Sequence, residues 1–507
     1  MNPQITLAII LGYFALLFVV SWLTGRKADA QTFFSANRSS PWYVVAFGMI
    51  GASLSGVTFI SVPGKVGFDH WAYLQMVLGY LLGYAVIAHI LLPLYYRLNL
   101  TSIYGYLQQR YGQQAYRSGS VLFLLSRVVG ASLRLYLVAL VLQLAICDYL
   151  GIPFPLTVAI SIALIYIYTY RGGIKTVVWT DTLQTASMLL GAGIVVWLIS
   201  KELELDAGGL WETLASSAYT EVWVWDWAPA SNFFKLFFSG ALITIVMTGL
   251  DQDMMQKNLT CPSLRDAQKN VYTFSIILVL ANLLFLSLGA LLYHYGAHTG
   301  LIEPVFGDDC AFRLIDPATG AATCYASTDE LFPLLSLQYL GPLAGTVFVL
   351  GVIAAAYSSA DSALTALTTS FCVDILDFEK RPESPAKLRL RRGVHLGFAF
   401  LLFLVILIFR WINDRTVIDA IFTAAGYTYG PLLGLFTFGL ISRRRVRDAL
   451  IPWICVASPV LSYLIDLGSA EAGFRWGFLI LLLNGLLTML GLWIFREREE
   501  EGPIAPV

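Results

Sequence analysis

The densest supply of oxygen ligands in the chain is the run Ala355 to Thr365, AAYSSADSALT, where Ser358, Ser359, Ser362 and Thr365 flank the carboxylate of Asp361. Hydroxyl and carboxylate oxygens suit a hard cation. Adjacent serines on one helix, set beside carbonyls freed by an unwound neighbour, are a low-cost way to hold an alkali ion. Serine also packs well between membrane helices, which alone accounts for such a run. The embedded Asp361 favours the functional reading, because an ionisable residue inside an apolar stretch is functional by default. A second carboxylate, Asp181, lies near the start of another apolar stretch, where it either joins an ion site or caps a helix as an anion.

The partner with freed carbonyls is expected at Gly48 to Gly64. Gly48, Gly51, Ala52, Ser53, Leu54, Ser55 and Gly56 are followed by Thr58, Ser61, Pro63 and Gly64, a poor continuous helix by propensity. The small residues fall on several faces rather than one, which favours an unwound segment over a packing stripe. A related interruption is expected where Gly240, Thr244, Thr248 and Gly249 lead into Asp251, Gln252 and Asp253. Arg127 and Arg134 are seven residues apart and so share a helical face. An unpaired guanidinium at mid-membrane is costly, so each needs a carboxylate of the protein or of an anionic solute.

These residues need a membrane-embedded scaffold. Of 507 residues, 57% are hydrophobic and only 13% charged, with mean hydropathy +0.70, more apolar surface than one soluble core requires. Crossing about 30 Å of hydrocarbon takes roughly 20 residues of helix. Thirteen crossings are read, at 3–24, 42–63, 71–96, 118–147, 154–170, 176–200, 232–250, 268–295, 340–375, 390–411, 416–441, 448–467 and 472–495. With the first connection inside, alternate loops hold 23 of the 32 lysines and arginines, among them Arg26, Lys27, Arg171, Lys257 and Arg443 to Arg445. The opposite loops hold six (Lys65, Lys201, Arg313, Arg410, Arg415 and Arg475), and Arg127, Arg134 and Lys235 fall within crossings. The positive-inside rule then puts the N-terminus outside and the C-terminus in the cytoplasm of a multi-pass cell (inner) membrane protein.

Interrupted segments in corresponding positions of two halves mark an inverted repeat. The expected fold class is an all-α membrane protein of about 13 transmembrane helices with a 5+5 core, the first helix of each repeat broken. Its parts are an N-terminal helix and loop (1–40), a first repeat (41–200), an outside loop (201–231), a second repeat (232–441, containing the outside loop 297–335) and two C-terminal helices with a short tail (442–507). Both outside loops are expected to form caps or short helices. The first crossing lacks a basic leader and cleavage site and is read as retained.

Net charge of −1 without a basic block excludes nucleic acid as a partner. Six cysteines cannot build a scaffold, but Cys310 and Cys324 bracket an outside segment where a disulfide is allowed. The five histidines are scattered, with no HExxH or other catalytic or metal arrangement, and no enzyme is expected.

GASLSG (Gly51–Gly56) with VPG (Val62–Gly64), TSIYGYLQQRYG (Thr101–Gly112), RGGIKTVVWTD (Arg171–Asp181), GLDQDMMQKNL (Gly249–Leu259) with Ser263 and Ala267, and YSSADSALTA (Tyr357–Ala366) occur in this order. Together they resemble the sodium/solute symporter family over nearly the whole chain. The resemblance implies a broken-helix inverted-repeat core working by alternating access. It implies a sodium site of carbonyls and hydroxyls at Gly51, Leu54, Ala355, Ser358 and Ser359. Sialic acid transporters of the family have a second cation site, which would fall on Asp181, Ser358, Asp361 and Ser362, with Asp361 standing where a serine is expected. The substrate pocket would involve Ser53, Ser55, Thr58, Gln75, Arg134 and Thr248, and Met247 stands where hexose carriers have a stacking aromatic.

The expectation is therefore a secondary active transporter that couples sodium to import of a small polar solute, with an anionic one such as an acidic sugar (sialic acid, for example) or another carboxylate favoured. Its partners are the solute, sodium and the bilayer, with no cofactor and no obligatory protein partner. The rivals are proton coupling through Asp361 and Asp181, and sodium-coupled uptake of a neutral sugar or vitamin.

Overall fold

The computed structural model describes all residues except 1–2, 26–29, 171–172, 228, 308–309, 318, 383, 413–416, 472–473, 475 and 502–507. Arg26, Lys27, Arg171, Arg415 and Arg475 of the loop-charge reading thus lie outside the described residues. The apolar helices, numbered in chain order, are α1 (Pro3–Gly25), α2 (Trp42–Asp69), α3 (Tyr73–Arg97), α4 (Gln113–Leu142), α5 (Phe154–Thr169) and α6 (Ile174–Glu202). They continue as α7 (Phe233–Gly249), α8 (Gln252–Asn258), α9 (Leu264–His298), α10 (Gly341–Ile375), α11 (Pro385–Ile412), α12 (Val417–Thr428), α13 (Gly430–Ile441), α14 (Ile451–Glu471) and α15 (Ile480–Ile494). Among the described residues ten helices are long and apolar enough to cross a membrane, eleven when α7 and α8 count as one bent span, with α5 and α13 shorter.

Helix ends follow local chemistry. Pro41 and Pro153, both extended, precede α2 and α5, as a residue without an N–H is best placed where no helical bond is owed. Asn232 caps α7 by accepting from the N–H groups of Phe234 and Lys235, and Ser263 caps α9 through Asp266.

The bundle is sorted by burial. α2 and α10 are buried over most of their length and lie at the centre with α6 and α9 against them. α3 packs on α7, and α4 joins the centre to α11 and α12. At the periphery, α1 and α14 expose large apolar side chains such as Leu11, Leu23, Trp453 and Val456, as lipid-facing helices must. The polar residues thus collect in the middle, where neighbouring helices must satisfy them.

The outer loops depart in part from expectation. A short helix, Ala207–Ser216, forms in the first. The second holds a three-stranded antiparallel sheet, β1 (Ile302–Gly307), β2 (Cys310–Ile315) and β3 (Ala322–Tyr325). Caps or short helices are the expectation there; the largely buried run CAFRLI and the cross-strand stack of Phe312 on Tyr325 accompany strands instead. A disulfide joins Cys310 to Cys324 across it, with Cα atoms 5.6 Å apart.

Candidate solute and cation sites

The two expected interruptions are unlike. In α2 the helix is broken at one residue, Ser55, whose φ of 49° and ψ of 171° lie where almost only glycine is found. The remainder, Pro63 included, stays helical, so the uncoiled stretch is far shorter than its glycine content implies. The break takes carbonyls of the preceding turn off the helical ladder. In the seventh crossing the chain turns by 70° between Gly249 and Gln252. Asp251 sits at that corner and caps α8, its Oδ1 accepting from Asp253 N at 2.9 Å and Met254 N at 3.3 Å.

Around the α2 break, Ser358 and Ser359 face inward from α10 and are fully buried. Ser359 Oγ donates to the carbonyl of Ala52 at 3.2 Å. Ser358 Oγ donates to Asp181 Oδ1 at 2.7 Å. Close approach is enforced at Gly51, where a Cβ would lie 2.4 Å from Thr185 Oγ1 and 3.1 Å from Ser358 Oγ, while Gly51 N donates to Thr185 Oγ1 at 2.9 Å. Leu54 and Ala355 are buried at the same junction of α2 and α10. The donor set here is entirely oxygen, hydroxyl and carbonyl, and fits a desolvated alkali cation; among the described residues no group of His, Cys, Asp and Glu could hold a transition metal.

Of the four residues expected at a second cation site, Ser358 and Asp181 are hydrogen-bonded to each other, while Asp361 and Ser362 also have partners of their own. Asp181 is well inside α6 and fully buried, so it is not a helix cap. Its Oδ2 lies 2.7 Å from Lys257 Nζ. Lys257, counted above among cytoplasmic loop charges, is instead 1% exposed on α8. Asp361 Oδ2 accepts from Tyr168 at 2.8 Å and from Thr180 at 3.5 Å. Ser362 turns away, donating to Asp253 Oδ2 at 3.1 Å. Sequence reading missed Lys257 because its neighbours are polar and look like loop.

On the other side of the break is a cavity of about 80 Å³. Ser53, Ser55, Thr58, Thr248 and Arg134 line it, as does Met247. Gln75 does not: its side chain donates to the carbonyls of Ala72 and Ser231 and accepts from Val224 N, fastening the first outer loop to α3. Unforeseen lining comes from Tyr73, Tyr80, Tyr84, Thr244 and Asn282, with the Tyr73 and Tyr80 hydroxyls 3.0 Å apart. The spacing YLQMVLGYLLGY in α3 was the available signal, since it puts three phenols within one apolar helix.

The two arginines of α4 differ. Arg127 is held by an ion pair with Asp253 and lies 3.9 Å from Asp251 Oδ2, which in turn accepts from Tyr429. Arg134, 8% exposed, has no ion pair with any described carboxylate; Arg127 lines the cavity too, and among the described residues neither Nε has a hydrogen-bond partner. A guanidinium can pair with a carboxylate through two parallel hydrogen bonds.

A sequence profile of the sodium:solute symporter family matches residues 33–451. The chain belongs to the sodium:solute symporter family. It is therefore a multi-pass membrane transporter and not an enzyme. This symporter is 24% identical over 494 residues to the sodium/sialic acid symporter NanT of Aliivibrio fischeri, covering 94% of this chain and 90% of the relative. To the sodium/sialic acid symporter SiaT of Proteus mirabilis it is 24% identical over 467 residues, covering 89% and 88%. The human sodium/iodide cotransporter is 25% identical over 445 residues, 85% of this chain and 65% of that one. In fold it is similar to a sodium-coupled sialic acid symporter solved substrate-bound and outward-open, with TM-score 0.78, 20% identity and coverage of 98% and 99%. A nucleobase-cation-symport-1 family transporter in a closed conformation is more distant, with TM-score 0.55, 13% identity and coverage of 94% and 98%.

Proposed function

We propose that this symporter couples inward sodium movement to import of a small anionic solute, a carboxylated sugar or another carboxylate. The observation that carries the solute class is Arg134, a buried guanidinium with no carboxylate partner among the described residues, at the wall of a cavity that Arg127, several hydroxyls and apolar side chains also line. The names of the two bacterial relatives point the same way. Among the described residues no Asp or Glu lines the cavity, which favours an anionic over a cationic solute.

The coupling ion would sit at the α2 break, on carbonyls of Gly51, Leu54 and Ala355 and the hydroxyls of Ser358 and Ser359. Sodium there draws α2 to α10 and fixes the wall that carries Ser53 and Ser55, so that solute binds more tightly when sodium is present. Linkage makes the effect reciprocal. At 100 mV each net charge carried inward supplies about 2.3 kcal/mol. Counting α5 and the α12–α13 pair as crossings gives thirteen, arranged as a 5+5 inverted repeat with the C-terminus in the cytoplasm.

Uptake into cells, screened over carboxylates and neutral sugars at fixed pH, is expected to vanish when choline replaces sodium. The Ser358→Ala, Ser359→Ala double variant is expected to behave as wild type does in choline, with loss of the thermal protection that sodium gives the purified protein. Uptake unaffected by choline but abolished by collapsing a proton gradient would instead establish proton coupling, for which Asp361, buried without an ion-pair partner among the described residues, is the observation in favour.

A further inference from the structure

Three helices meet at Asp181. Its Oδ1 accepts from Ser358 on α10, and its Oδ2 faces the ammonium of Lys257 on α8 at 2.7 Å, all three groups being buried. Lys257 therefore has one fixed use in this conformation, as counter-charge to a carboxylate on α6. Asp361, three residues beyond Ser358, directs Oδ2 at the Tyr168 hydroxyl. Its Oδ1 has no hydrogen-bond partner.

We infer that Lys257 is a tethered cation standing where a second mobile cation would otherwise lie between Asp181 and Asp361, so that this protein takes a single sodium ion; the inference rests on the sodium-coupled reading above. Two arguments carry it. The first is ligand supply. One Asp181 oxygen is engaged by the ammonium, Ser358 directs its proton at the other, and Ser362 turns to Asp253. No closed shell of oxygens is left for another ion. The second is charge. A cation brought beside an ammonium in a dry interior meets like-charge repulsion that water does not screen.

The location adds a mechanical consequence. Lys257 rides on α8, just past the 70° corner of the seventh crossing. Any motion of that corner moves a positive charge relative to Asp181 and hence relative to Ser358, which the sodium site shares. A charge fixed to the chain can reset during the return of the empty carrier, with no ion leaving for the solvent.

The test counts sodium alone, with no solute needed. Equilibrium binding of sodium-22 to the purified full-length protein is expected to saturate at one ion per chain. Lys257→Gln, which removes the charge and leaves a shorter polar side chain, is expected to saturate at two, and Lys257→Arg at one. Two ions on the wild type, or one or none on a folded Lys257→Gln protein, overturns the inference and leaves sodium coupling standing. No ion on the wild type overturns the sodium reading and this inference together. Should Lys257→Gln fail to elute as a folded species, the wild-type and Lys257→Arg counts decide: one ion on each supports the inference, and two on either overturns it.

Discussion

Arg127 and Arg134 are the same residue on the same face of α4, two turns apart, and the protein uses them in opposite ways. The region around Arg127 is charge-paired, although its guanidinium lines the same cavity as that of Arg134. Asp253 pairs with it, Asp251 stands nearby while capping α8, and Tyr429 and Ser362 complete the polar shell. The region around Arg134 has a guanidinium at the cavity wall with no described carboxylate paired to it. The contrast teaches how to read buried charge in a carrier: the paired cluster ties α4 to the bend of the seventh crossing, whereas the second guanidinium leaves an uncompensated positive charge at the cavity wall.

The largest effect should come from breaking the paired cluster. Arg127→Gln leaves the buried carboxylate of Asp253 without its counter-charge, and removal of one partner of a buried pair costs about 3–5 kcal/mol. Thermal and urea unfolding in detergent should register that loss whether or not solute is added. A loss below about 1 kcal/mol, the scale of an exposed pair, would mean that the carboxylates are served by something else and that the cluster is not structural.

Arg134→Gln should do the reverse. No partner is stranded, and a buried charge without an ion pair is removed, so stability should hold or rise. The cost should fall on solute affinity. A hydrogen bond to a charged group contributes about 1.5–3 kcal/mol, which is roughly 10- to 100-fold in the apparent KM for a carboxylate solute. Sodium binding measured alone should not change. Lys in the same place keeps the charge but loses the two-pronged geometry, and should fall between. A carboxylate solute whose uptake is untouched by Arg134→Gln would show that guanidinium to be idle.

Much of this was legible in the chain. Helix positions follow from hydropathy, which needs only local composition; α2, α6 and α10 sit where their apolar runs place them. The break in α2 could be read from its glycines and serines, though its confinement to Ser55 could not, because tertiary packing of α2 against α6, α9 and α10 holds the remaining small residues helical. The pairing of Lys257 with Asp181 spans 76 positions of sequence and joins a segment that looks like loop to one that looks like membrane; no local pattern encodes it. Gln75 misled for the opposite reason. A lone amide in an apolar helix reads as a pocket residue, and only the position of Ser231 and Val224 reveals that it anchors a loop.

Ser55 lies in the wall that faces Arg134, and its backbone supplies the smallest and most diagnostic test. A non-glycine residue at φ 49° and ψ 171° carries strain of about 1–3 kcal/mol. Glycine relieves it but adds about 0.5–1 kcal/mol of chain entropy to the unfolded state. The two effects oppose each other, and Ser55→Gly should come out more stable than wild type by up to roughly 2 kcal/mol, with sodium and without it. Ser55→Val, branched at Cβ and intolerant of positive φ, should be less stable than either. If glycine destabilised the protein, the serine would be held there by its hydroxyl rather than against its backbone preference. The α2 break would then depend on that hydroxyl, and the wall facing Arg134 would be set by a side chain instead of by the course of the helix.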